Sequence, residues 1–86
     1  MKLMLGTKFN IATLNIRGTK KPGVRDEVEK WMEKRNIKIL TLQETRVGQN
    51  TRETRKDYTW FFSGEGGRKE YTAGVAIIVH NSTFNT

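Results

Sequence analysis

Two strand-like runs separated by one amphipathic helical run set the tightest limit on what this chain can fold into. The first run, FNIATLNI at residues 9–16, puts Phe9, Ile11 and Thr13 on one face and Ala12, Leu14 and Ile16 on the other, the period of a β-strand. Gly18 and residues 19–23, with Pro22 among them, break that strand. Asp26 and Glu27 then place carboxylates where the partial positive charge of a helix start favours them. Val24, Val28, Trp31 and Met32 recur at helical spacing, while Glu29, Lys30, Glu33 and Lys34 fill the polar sides. Asn36, a residue type that tolerates the left-handed conformation, marks the helix end. IKILTLQ follows directly and is apolar on both faces through Ile39, Leu40 and Leu42, the pattern of an interior strand. Strand, helix and strand within roughly forty residues predict two parallel strands joined by a right-handed crossover.

Residues 45–57 are polar, contain Gly48 and follow neither period, which predicts a loop. Residues 58–63 read as a third strand, Gly64, Gly66 and Gly67 as a turn, and AGVAIIVH as a fourth strand, the last two forming a hairpin. The expected architecture is therefore α/β, with about four strands and one main helix in a single domain whose core spans residues 9–80 of the 86. One helix covers only one face of such a sheet. Strands this apolar predict that a larger fold or a partner supplies the missing layer.

A chain of this length buries a modest fraction of its surface, and with no cysteines it has neither disulfides nor a thiolate zinc site to stabilise it. Absence of cysteine fits a reducing compartment, so a nuclear or cytoplasmic location is expected. The apolar stretch at residues 3–5 is too short for a signal-peptide core or a membrane span, and no membrane association is expected. A formal net charge of +7 and a pI of about 10.1 favour a polyanionic partner such as nucleic acid, against the plainer alternative of a solvated basic surface.

Chemistry is expected where the two parallel strands end, because crevices in α/β sheets open at carboxyl ends. Asn15 closes the first strand and Gln43 and Glu44 close the second, so Asn15 and Glu44 should lie close together. A carboxylate there can hold magnesium, which takes one or two protein oxygens and keeps water and substrate phosphate as its other ligands, and an amide can orient that carboxylate. The alternative is an ordinary polar strand end.

LNIRG at residues 14–18, ILTLQET at 39–45 and AGVAIIV at 73–79, in this order and with the helix between the first two, resemble the endonuclease/exonuclease/phosphatase superfamily. That family includes DNase I, the apurinic/apyrimidinic endonucleases and the endonucleases of LINE-type retrotransposons, and the N-x-R-G form is most similar to the retrotransposon branch. The resemblance implies the amino-terminal part of a four-layer α/β/β/α sandwich and a magnesium-dependent phosphodiesterase acting on nucleic acid, DNA in preference to RNA. It implies that Glu44 binds magnesium and that Asn15 supports the metal and the scissile phosphate. Arg17 stands where some apurinic-site enzymes carry an acidic residue, so a second acidic contribution is missing there. Arg46, Arg17, Arg68, Lys69 and Tyr71 are the expected nucleic-acid contacts, within a wider basic set that includes Arg52, Arg55 and Lys56 and is diluted by Glu53, Asp57, Glu65 and Glu70.

Gly74 reads as a residue that lets a strand start be approached closely, without a ligand. Trp31, Trp60, Phe61 and Phe62 read as packing residues in preference to base-stacking platforms. His80, the single histidine, follows the fourth strand and is expected to face solvent instead of serving as general base. The family's carboxy-terminal catalytic motifs have no counterpart here, so the chain is expected to carry an incomplete site. The competing expectation is a non-catalytic remnant of the same fold that binds nucleic acid or another protein.

Overall fold

A computed structural model describes residues 10–64 and 74–85 and shows a small mixed α/β domain, one helix on a five-stranded sheet. β1 (Asn10–Asn15) and β2 (Ile37–Gln43) pair in parallel, in register from Ile11 opposite Ile39 to Asn15 opposite Gln43. Their connection carries α1 (Val24–Lys34), as the strand, helix, strand pattern predicts. No side chain caps its start at Gly23, so Asp26 and Glu27 in the first turn are what complements the exposed N–H groups. The chain leaves the helix through Asn36 at φ 52°, the left-handed conformation that its residue type tolerates.

β5 (Val75–His80) runs antiparallel between β2 and β4 (Tyr58–Ser63), and β3 (Thr51–Thr54) closes the far edge, giving the order β1-β2-β5-β4-β3. β2 is thus internal, which is what its apolar residues on both faces require. β3 corrects the expectation of a loop over residues 45–57 and raises the strand count to five. Thr-Arg-Glu-Thr gives no hydrophobic signal because an edge strand needs a partner on one side only and can stay solvated. Its position is fixed by β4 through a tight turn, in which the Arg55 N–H donates to the Tyr58 carbonyl at 2.8 Å.

The pleat sends Ala12 and Leu14 of β1, Leu40 and Leu42 of β2, Ala76 and Ile78 of β5, and Trp60 and Phe62 of β4 beneath Val28 and Met32 of α1. Met32, Leu40, Leu42, Trp60 and Ile78 are fully buried. Trp60 also has its indole N–H satisfied, donating to Glu29 Oε2 at 2.8 Å, and the same oxygen accepts Arg55 Nε at 2.7 Å. Arg55 reaches Asp26 as well and stands 3.6 Å from Glu53, so α1 is tied to the β3–β4 edge through one guanidinium. Arg25 lies over the Phe62 ring at 5.2 Å and pairs with Glu53 at 3.0 Å, a charge contact whose atoms are not aligned for a hydrogen bond. Arg55, expected among the basic groups of a phosphate-facing loop, is instead surrounded by three carboxylates.

The opposite face carries Ile11, Ile39, Thr41, Val75, Ile77, Val79 and Phe61. Among the described residues only a 3-10 helix (Asn81–Asn85) folds back onto it, with Phe84 edge-on to Phe61 at 6.3 Å. Ile11, Val75 and Ile77 are 40–50% exposed. Phe61, expected with the packing aromatics, is therefore half-buried on the open face and not under the helix. No helix among the described residues is long and apolar enough to cross a membrane.

Because Leu40 is enclosed and Val75 is not, Leu40→Ala should cost about 2–5 kcal/mol of stability. Val75→Ala should stay within about 0.5 kcal/mol. Urea denaturation of the two variants measures both.

Candidate active site

Parallel pairing brings the carboxyl ends of β1 and β2 to one rim, and the two chains stay together beyond the strands. Ile16 N–H donates to the Gln43 carbonyl at 3.0 Å, Gly18 N–H to Glu44 at 2.9 Å and Thr19 N–H to Thr45 at 3.0 Å. Thr45 N–H in turn donates to the Gly74 carbonyl at 3.2 Å, joining the start of β5 to the same rim. Thr19 and Thr45 are fully buried, and both hydroxyls have partners: Thr19 Oγ1 donates to the Thr45 carbonyl at 3.1 Å, and Thr45 Oγ1 accepts the Val47 N–H at 3.4 Å. The rim is a hydrogen-bonded ledge.

Glu44 sits on this ledge at φ 58° and Arg46 at φ 61°. The left-handed region costs a residue with a Cβ about 1–2 kcal/mol, so two such residues within three positions persist only because their neighbours hold them there. The consequence is chemical. Continued extension past Gln43 would turn Glu44 toward the helix side, whereas the left-handed turn sets its carboxylate beside the β1 end. Asn15 Nδ2 donates to Glu44 Oε2 at 2.7 Å, the short length of a hydrogen bond to a charged acceptor. The expected proximity of Asn15 and Glu44 is present.

That bond uses one carboxylate oxygen and the amide nitrogen, leaving Glu44 Oε1 and Asn15 Oδ1 as oxygen donors at the rim. Two hard oxygens fit magnesium, which accepts a small protein contribution and fills its remaining positions with water and phosphate. Among the described residues no three or more His, Cys, Asp or Glu side chains gather into a fuller ligand set. Arg46 lies across Gly18, where an added Cβ would stand 3.3 Å from Arg46 Cδ, and the positive φ of Gly18 (95°) likewise favours glycine. Arg46 Nε is buried without a hydrogen-bond partner in the described structure, and Arg17 is exposed two positions beyond Asn15. Asn15, Arg17, Glu44 and Arg46 thus come from one rim. Arg68, Lys69 and Tyr71 lie outside the described residues. Gly74 has φ 107° and receives the Thr45 bond, in keeping with a purely structural role.

His80 pairs with Tyr58 at the opposite end of β5 from Val75, which pairs with Gln43. At about 3.3 Å per residue, it stands roughly 16 Å from the rim, too far to take a proton from water bound there. Contrary to the expectation that it faces solvent, the ring is half-buried, edge-on to Tyr58 at 4.9 Å, because the chain turns back into the 3-10 helix. Its Nδ1 accepts the Ser82 N–H at 3.1 Å and lies 2.8 Å from Ser82 Oγ. Burial and then the Lys38 ammonium lower the imidazole pKa below 6.5, outweighing the Asp57 and Glu33 carboxylates. Burial first, then Glu33, Glu29 and Asp57, push the Tyr58 phenol up, so it too stays neutral. Three residues that organise the site or its support, Thr19, Thr45 and Glu29, carry no periodic signal. Each acts through hydrogen bonds to residues distant in sequence.

Glu44→Gly should be more stable than Glu44→Ala by about 1 kcal/mol, since both lose the bond to Asn15 but only alanine keeps the left-handed penalty; denaturant midpoints compare them. For His80, a folded-state pKa below the unfolded 6.5 means that its neutral form contributes full stability above pH 6.5. That contribution falls as the pH drops through 6.5 toward the lowered value. Thermal midpoints should decline over this window in the parent chain and flatten in His80→Phe. Compared with family models, curated proteins and solved structures, the chain matches none of them.

Proposed function

We propose that the chain is the amino-terminal part of a magnesium-dependent phosphodiesterase of the endonuclease/exonuclease/phosphatase superfamily, of the retrotransposon DNA-endonuclease kind, and that it supplies half of the active site. The observation that carries this reading is the Asn15–Glu44 hydrogen bond, formed on a strained left-handed backbone at the carboxyl ends of two parallel strands. Backbone strain clusters at functional sites, so two left-handed polar residues on this rim support the reading. The four-layer sandwich belongs to this proposal: a second sheet would pack on the open face beside the rim. A nuclear or cytoplasmic location follows from the same reading, with DNA as the substrate.

In this mechanism Glu44 Oε1 would hold the ion, with the carboxylate fixed by the Asn15 amide that occupies Oε2. Magnesium, when bound, supplies positive charge to a phosphoryl oxygen undergoing in-line displacement. Asn15 Oδ1 would be the second oxygen donor to the same ion. Arg46, whose Nε has no partner, and Arg17 are placed to neutralise backbone phosphate. No described side chain near the rim is suited to remove the proton of an attacking water, His80 being at the far end, so turnover needs groups beyond these. A non-catalytic nucleic-acid-binding role is favoured by one specific observation, a single carboxylate among the described residues of the rim in a chain with net charge +7. It would give salt-sensitive DNA binding independent of magnesium.

Magnesium titration followed at the Asn15 side-chain amide by NMR, together with nicking of plasmid and abasic duplex, separates these roles. Expected are a saturable shift erased by Glu44→Ala, no nicking by the 86-residue chain, and nicking by a protein extended to the whole fold. In that longer protein Glu44→Ala should lower the rate by about 100-fold or more. Nicking by the 86-residue chain that Glu44→Ala abolishes would overturn the half-site reading, and a silent Asn15 amide would overturn magnesium binding.

A further inference from the structure

Residues 44–46 are gripped mainly by backbone groups, and one side chain joins them. The Glu44–Thr45 peptide is held at both ends, its carbonyl by the Gly18 N–H at 2.9 Å and its N–H by the Gly74 carbonyl at 3.2 Å. The Thr45–Arg46 peptide is held from one residue: the Thr45 carbonyl accepts the Thr19 N–H at 3.0 Å and the Thr19 hydroxyl at 3.1 Å. Beyond it, Val47 is anchored in the apolar core and donates its N–H to Thr45 Oγ1 at 3.4 Å. Any residue but proline at position 19 supplies the N–H. Only a hydroxyl supplies the second bond.

That second bond adds little to stability. Burying a hydroxyl costs its hydration, and a bond to an acceptor that already has a donor returns a modest net gain, whereas valine would fill the same space without the cost. Thr19 is fully buried, so its hydroxyl reaches neither solvent nor a ligand at the rim. What the bond adds is direction. A carbonyl with one donor lets its peptide swing about that contact, and two donors at separate positions fix it. Thr45 stands between the two left-handed residues, Glu44 at φ 58° and Arg46 at φ 61°. Both conformations are strained, and a Thr45 free to turn would let its neighbours relax toward an ordinary extended backbone. Relaxation at Glu44 carries its carboxylate away from the Asn15 amide, which stands 2.7 Å from Oε2.

We propose that Thr19 is a positioning residue for Glu44: its hydroxyl, acting through the Thr45 carbonyl, holds the carboxylate in the orientation that meets Asn15 and leaves Oε1 to the ion. Groups that orient a metal-binding carboxylate change the affinity without being ligands themselves. The magnesium part of this inference rests on the function proposed above; the positioning of Glu44 does not.

Nuclear magnetic resonance of the 86-residue chain tests both parts, with Thr19→Val, Thr19→Ala and Thr19→Ser set beside the parent and Glu44→Ala. Without magnesium, the Asn15 side-chain amide signals of the valine and alanine variants should move most of the way to their Glu44→Ala positions, while those of Thr19→Ser stay with the parent's. Magnesium titration of the same signals should give a dissociation constant raised about 10-fold in the two variants without a hydroxyl and little changed in Thr19→Ser. Ile78→Val, a loss of buried volume away from the rim, should lower the thermal midpoint yet leave the Asn15 signals and the magnesium constant in place, which separates positioning from general stability. Asn15 signals unmoved in Thr19→Val and Thr19→Ala overturn the inference, as does a Thr19→Ser variant that behaves like them. A parent whose Asn15 amide does not respond to magnesium overturns the metal reading alone, and the magnesium-free spectra still decide whether Thr19 positions Glu44.

Discussion

Parallel pairing of β1 with β2 is the constraint on which the other features rest. Two antiparallel neighbours would send one end to each side of the sheet; two parallel ones deliver both carboxyl ends to the same rim. The pairing does not stop at the strand ends, because Ile16, Gly18 and Thr19 continue to donate to the carbonyls of Gln43, Glu44 and Thr45. This continuation holds Glu44 and Arg46 in the left-handed region. Without it, the chain after Gln43 would relax, and the carboxylate would no longer lie 2.7 Å from the Asn15 amide.

Charge in this chain is divided between structure and surface, so net charge alone describes its partners poorly. Arg25 and Arg55 meet Asp26, Glu29 and Glu53 at the junction of α1 with the β3–β4 edge, where Glu29 also satisfies the buried Trp60 indole. A buried aromatic N–H needs an acceptor, and the carboxylate that provides one needs a cation in turn. The groups used here include more acids than bases, so the remaining surface is no less positive than the whole. The basic side chains at the rim, Arg17 and Arg46, are separate from this junction.

The two faces of the sheet have different consequences. One is closed by Val28 and Met32 and holds the domain together; the other presents Ile11, Val75 and Ile77 to solvent next to the Asn15–Glu44 rim. Anything that covers the open face lies beside the rim and shapes access to it. The rim's own geometry is set within the described sheet and does not wait for such a cover.

Much of this was legible in the residues. The strand, helix, strand order, the boundaries of β2 and β4, the helix end at Asn36 and the closeness of Asn15 to Glu44 follow from periods of two and 3.6 and from the direction of parallel strands, which are local or nearly local properties. Tertiary structure decided the rest. β3 became a strand because β4 offered it an edge, His80 became half-buried because its ring meets Tyr58 edge-on, and Glu44 took a left-handed turn because Gly18 and Gly74 lay within hydrogen-bonding reach of the ledge. Each of these depends on a partner distant in sequence, and a single residue's preference carries no record of which partner it will meet.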